Sequence, residues 1–123
     1  MANPNIVNVT TITGNTAAFR PAVTTATTMV TNASGSGTIL KVNFLSCANA
    51  NANVVSTTVT INSAAGGGGT AANLAYQIPI PVNAALIVTD KSTSFYLIED
   101  RSLVVTSNVA SAIDYVCSYE VLS

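Results

Sequence analysis

Ile113-Asp114-Tyr115-Val116-Cys117-Ser118-Tyr119-Glu120-Val121-Leu122 is the stretch on which the fold turns. Ile113, Tyr115, Cys117, Tyr119 and Val121 recur at every second position, which places all five on one face of an extended chain. The opposite face carries Asp114, Ser118 and Glu120, with Val116 and Leu122 as exceptions. One apolar face and one largely polar face describe a strand that lies with one side on a core.

Moving upstream, the same reading applies to short segments separated by turn residues. Residues 84–89, 93–98 and 102–107 alternate or run apolar, divided by Asp90-Lys91-Ser92 and Glu99-Asp100-Arg101. Residues 74–81 are extended, but Pro79 and Pro81 cannot donate to a ladder, so this piece reads as an edge strand or polyproline-like. In 54–62, Val55, Val59 and Ile61 share a face opposite Thr58 and Thr60. In 38–47, Leu40, Val42 and Phe44 oppose Ile39, Lys41 and Asn43, with a register that blurs near Cys47 and predicts a bulge. Residues 23–31 form a Thr-rich strand, and the 32–37 cluster with two glycines supplies a turn. Residues 63–70 (SAAGGGGT) read as a flexible connection, and 107–113 makes one helical turn at best.

About eight short strands with turn signals every 8–12 residues predict an all-β fold, a single β-sandwich or jelly-roll domain. It spans 23–123 and is preceded by an extended N-terminal arm over 1–22. Composition agrees. Val, Ile and Thr make up one third of the 123 residues, and such side chains are stiff at χ1 and favour the pleated surface. A mean hydropathy of +0.49 excludes disorder.

Charge bears on partners. Four Lys+Arg against five Asp+Glu leave a net charge of −1, so no basic stripe exists for phosphates and no nucleic-acid partner is expected. Only 7% of residues are charged, against about a quarter in ordinary domains. The surface is therefore built of Thr, Ser and Asn, and copies repel one another little. Self-association follows, with a trimer as the expected form. The opening residues show no secretory signal, and no apolar run reaches the roughly 18 residues of a membrane helix. Cys47 and Cys117 stand far apart, outside any C-x-x-C pattern, and read as buried thiols.

The residues that could carry chemistry are few. The chain has no His, which removes the usual general base and metal ligand together. Glu99 and Asp100 are adjacent on a turn, where carboxylates point apart instead of flanking a glycosidic bond. They read as a solvated turn whose charges pair with Arg101 or Lys91. Gly66-Gly67-Gly68-Gly69-Thr70 lacks the Lys of a phosphate loop and reads as a flexible hairpin tip. Cys117 has no neighbouring cation to lower its pKa. Tyr76, Phe95, Tyr96, Tyr115 and Tyr119 could offer a sugar-stacking platform, although strand aromatics ordinarily belong to the core. No enzyme, cofactor or metal site is expected.

Three stretches also carry a family resemblance. They are Met1-Ala2-Asn3-Pro4-Asn5-Ile6-Val7-Asn8-Val9-Thr10, then Thr24 to Asn32 (TTATTMVTN), then the closing module of Leu86 to Lys91, Tyr96 to Asp100, Leu103 to Val105 and Val116 to Glu120. Together they resemble the small virion structural proteins of tailed phages that infect cyanobacteria and other aquatic bacteria. The resemblance is poor between about 47 and 75, and Ile98-Glu99-Asp100-Arg101 stands where members often have an E-E-G-D turn. It implies a non-enzymatic virion component made in the host cytoplasm, a capsid decoration (cement) protein bound to the major capsid protein. A neck or tail component and a host-glycan-binding tip domain are the alternatives. Segment 1–22 is uncharged until Arg20 and shows no partner strand in the pattern, as suits an arm that orders on binding. Its interface residues are expected to be Ile6, Val7, Val9, Ile12, Phe19 and Arg20, joined by Val116 from the last strand.

Overall fold

The computed structural model describes residues 6–123. Among them are nine strands: β1 (Ile12–Phe19), β2 (Thr27–Asn32), β3 (Ile39–Asn49), β4 (Val55–Asn62), β5 (Ala71–Ile80), β6 (Ala85–Thr89), β7 (Phe95–Leu97), β8 (Arg101–Ser107) and β9 (Ile113–Leu122). They form two antiparallel sheets packed face to face, an all-β sandwich. The first sheet runs β1-β9-β3-β6, with β7 pairing the other end of β3; the second runs β2-β8-β4-β5.

The period-2 pattern of β9 explains its place in the first sheet, between β1 and β3. Ile113, Tyr115 and Cys117 are buried, and they meet Val42, Leu45, Cys47, Val55, Val59, Leu103 and Val105 in one core. Toward the end of the strand the inward face loosens: Tyr119 and Val121 are half-buried against the core rim. Leu122, an exception to the pattern, is buried beside Ile39, its register partner, outside the main core.

Four expectations are corrected. The first concerns the arm. Its opening five residues lie outside the described ones, but residues 12–19 have a partner strand after all: β1 pairs with β9 through eight consecutive register partners, from Ile12↔Leu122 to Phe19↔Tyr115. A strand pair separated by about a hundred residues leaves no local signature, so alternation alone does not reveal it.

The second is the face of Phe44. The ladder of β3 to β6 does shift near Cys47, between Leu45 and Ser46, but a further bulge falls between Val42 and Phe44 in the ladder to β9, so Val42 opposes Tyr119 while Phe44 opposes Ser118. One extra residue reverses the pleat. Phe44 therefore joins the outer face, and Leu45 takes the core position opposite Cys117.

Third, residues 63–70 are not a flexible tip. They fold back over the second sheet, where Thr31, Ser102 and Asn62 form one register row. Thr31 Oγ1 accepts from Gly66 N at 2.9 Å, Ser102 Oγ accepts from Gly67 N at 2.9 Å, and Asn62 Nδ2 donates to Gly67 O at 2.9 Å. The loop lies against β8 and β2 beside Val104, which is buried although it faces away from the core. Residues 108–111, meanwhile, form a turn between β8 and β9 with no helix.

The fourth is the 99–101 turn. Glu99 is buried, and its Oε1 accepts from Gly37 N at 3.0 Å. Asp100, at φ 57°, accepts from Ala65 N at 3.0 Å. The Arg101 guanidinium donates to the carbonyls of Ser63 and Asp100. The turn is a structural junction rather than a solvated cluster.

Candidate functional site

At the centre of the sandwich lies a polar node. Thr57, on the inward face of β4, donates to Thr106 O at 3.1 Å and is left to accept from the Tyr115 hydroxyl at 2.6 Å. The bond joins the two sheets, and a buried phenol requires such a partner. Burial pushes Tyr115 up to about 12, against the smaller opposing pull of the Thr57 hydrogen bond. Burial likewise pushes Cys47 and Cys117 up to about 12 each. Both thiols are free and buried, as the sequence predicts. A thiol held neutral in this way is not a nucleophile at ordinary pH.

The outer face of the second sheet holds a polar hollow of about 480 Å³ lined by Thr24, Ser56, Thr58, Gln77, Thr106, Ser107 and Asn108. Every lining side chain is a hydroxyl or an amide. The hollow forms where β5 is irregular: two β5 residues, Tyr76 and Gln77, face Thr58 alone in the β4·β5 ladder, and Gln77 takes φ 48°. Its N–H donates to Thr58 Oγ1 at 3.0 Å. A left-handed residue that is not Gly costs about 1–3 kcal/mol and persists only where its surroundings hold it. These groups can hydrogen-bond a neutral polyhydroxyl ligand, and none of them titrates in the ordinary range. Sequence reasoning missed the set because its members come from four separate segments of unremarkable Ser, Thr and Asn.

The glycine-rich segment does not hold its amides open as a phosphate cradle does. The amides of residues 65, 66 and 67, which an anion would need, already donate to Asp100, Thr31 and Ser102. Among the described residues, no three of His, Cys, Asp and Glu converge as a metal would require. No helix among them is long and apolar enough to cross a membrane.

The expected interface residues separate into groups. Ile6, Val7 and Ile12 are exposed, Val7 at 85% and Ile12 at 62%. Val9 is half-buried. Phe19 turns inward, its ring tilted against Tyr115 at 6.1 Å between centroids. Arg20 continues the β1·β9 ladder: its Nε donates to Asp114 Oδ1 at 2.6 Å and a second guanidinium nitrogen to Oδ2 at 2.8 Å. That pairing holds the Asp114 carboxyl below the usual carboxylate range. Val116 is half-buried on the outer face of the first sheet, between Ala18 and Ser46, with Ile87 next in the same row. The structure thus leaves Ile6, Val7 and Ile12 exposed, with Ile12 at the start of the edge strand β1, and Val116 in the middle of a face.

The aromatic residues do not converge either. Tyr115 is core, Phe95 and Tyr119 are half-buried at the core rim, and Tyr76 and Tyr96 are exposed on different sheets. Compared with known proteins, the chain matches no family model and no curated protein.

Proposed function

We propose that this protein is a non-enzymatic structural component of a phage virion, a decoration protein that binds and reinforces the capsid shell as an oligomer. One observation carries the reading: the surface combines scarce charge with exposed apolar side chains. Nine charged residues serve a chain of 123, while Val7, Ile12, Tyr76, Ile87 and Tyr96 stand well exposed. A freely diffusing monomer ordinarily keeps charge on its surface to stay apart from its copies. A protein covered by neighbours has no such need, and the resemblance of both ends to virion proteins supplies the kind of neighbour.

Particles banded in a density gradient, from a lysate that expresses the chain from its native genome, provide the test. The protein should co-sediment with full shells in a copy number comparable to that of the major capsid protein. A handful of copies per particle would favour the neck or tail, and recovery only in the soluble fraction overturns the reading. The hollow around Gln77 supports a second reading, a host-glycan-binding tip domain, since its hydroxyls and amides suit a neutral sugar. Binding on a glycan array that Gln77→Ala abolishes would favour it.

A further inference from the structure

A sandwich has four edges, and in this molecule three of them are blunted. β5 carries Pro79 inside the strand, a left-handed Gln77 and two register shifts. The β2 edge is short, shifts register between Thr28 and Val30, and has the 63–70 loop bonded to it through Thr31. The fourth side of β3 is divided between five-residue β6 and three-residue β7, with Asp90 and Lys91 between them. Each is a known device against strand addition: proline, bulge, charge, shortness or cover.

β1 has none of these. It runs eight residues with unbroken register, contains no proline and no charge, and is exposed or half-buried throughout. Beyond β9, no other described strand pairs with it. Thr16 N donates to the side chain of its own neighbour, Asn15 Oδ1, at 2.8 Å instead of to β9. That amide therefore points along the outer edge, and strand alternation turns the amides of Gly14 and Ala18 the same way. No charged residue occurs between Ile6 and Phe19, and Arg20 is already neutralised by Asp114.

We propose that the β1 edge is a self-association surface, on which a second copy of this chain pairs its own β1 antiparallel. The occupant follows from the chemistry of the edge. Its outward donors and acceptors are backbone groups, which only another strand satisfies in series, and an uncharged strand meets its own copy with no like-charge repulsion. Antiparallel addition matches every ladder already in the molecule. Ile12 supplies exposed apolar surface within the edge strand itself. The contact is isologous and closes at two copies, so it sets a dimer rather than the trimer expected from composition. It goes beyond the virion reading and does not depend on it, because the pair forms in solution without a particle.

Light scattering coupled to size exclusion on the full chain should return twice the 12.5 kDa chain mass. Gly14→Pro deletes an outward donor without touching the β9 ladder, in a position where an added Cβ meets nothing within 4 Å, and Ile12→Lys places a charge beside the edge. Each should halve the measured mass while far-UV circular dichroism stays unchanged. Hydrogen exchange on the unmutated protein should show Gly14 and Ala18 protected at high concentration and exchanging faster on dilution. A monomer or trimer at the highest concentration reached, or fast exchange of both amides at every concentration, overturns the proposal. So does a folded Ile12→Lys variant that remains a dimer. Loss of the dimer leaves capsid binding to be measured separately, so the two readings fail independently.

Discussion

β9 and β1 are paired in unbroken register over eight residue pairs, yet one lies in the core and the other at the rim. Along β9, Ile113, Tyr115 and Cys117 are fully buried, whereas β1 opens on five exposed residues in succession. Pairing regularity and burial are therefore separate properties. A ladder satisfies backbone groups whatever lies above and below it, but the free energy of a strand comes chiefly from the apolar area its side chains remove from water. β9 contributes to stability, and β1 is left to be recognised.

Alkaline titration strikes hardest at the β9 side. Tyr115 and Cys117, with Cys47 opposite, have folded pKa values raised to about 12. Below their unfolded values, near 9 for a thiol and 10 for the phenol, both states hold the proton and these three groups add no pH dependence. Between about pH 9 and 12 the unfolded chain releases protons that the folded one retains, so stability falls by up to about 1.4 kcal/mol per pH unit per group. Urea titrations from pH 7 to 11 should show a midpoint that is flat and then drops steeply. A flat profile throughout would mean that these groups are solvated.

Tyr115→Ala comes next. Losing a fully buried ring and leaving Thr57 without its cross-sheet partner should cost about 3–5 kcal/mol in denaturant unfolding. The matching change in β1, Phe19→Ala, removes a half-buried ring and should cost about 1–2 kcal/mol. Equal losses would erase the contrast between the strands.

A pair of glycines sharpens it further. A Cβ on Gly67, at φ 82°, would stand 2.6 Å from Thr28 Oγ1, whereas one on Gly14 in β1 meets nothing within 4 Å. Gly67→Ala should therefore cost about 1–3 kcal/mol through backbone strain and crowding. Gly14→Ala should stay within about 0.5 kcal/mol, measured in the same titration. The smallest effect belongs to Asp114→Asn, which breaks a largely exposed ion pair with Arg20. Its carboxyl titrates below the ordinary range, so the pair's contribution is present above that range and is lost as pH falls. The unfolding midpoints of the two proteins should converge in acid.

The polar residues divide in the same way as the strands. β2, β3 and β4 each end on a buried asparagine: Asn32, Asn49 and Asn62. Asn32 Nδ2 donates to the carbonyls of Thr38 and Leu97, and Asn49 Nδ2 to those of Asn53 and Ile80. Asn62, as described, holds the 63–70 loop. In the sequence these three look no different from the exposed Asn8 or Asn83. A side-chain amide at a strand end becomes a fixed hub only when a distant carbonyl arrives to meet it. The same limit hid the hollow around Gln77.

Local pattern was enough to show that the chain is all-β, that Ile113, Tyr115 and Cys117 face a core and that both cysteines are buried thiols, and it narrowed 74–81 to an edge strand or a polyproline-like piece, of which the edge strand is found. Each of these is local: a period of two, a proline without an N–H, an apolar neighbour at the next alternate position. The fold, and not the local pattern, sets residues 12–19 beside β9, turns Phe44 outward and fixes the glycine-rich loop beside Val104 through its bonds to Thr31 and Ser102. These depend on partners up to a hundred residues away or on a single inserted residue in a ladder. Alternation records which way a side chain points within its own strand, and it holds no record of what the fold brings to the other side.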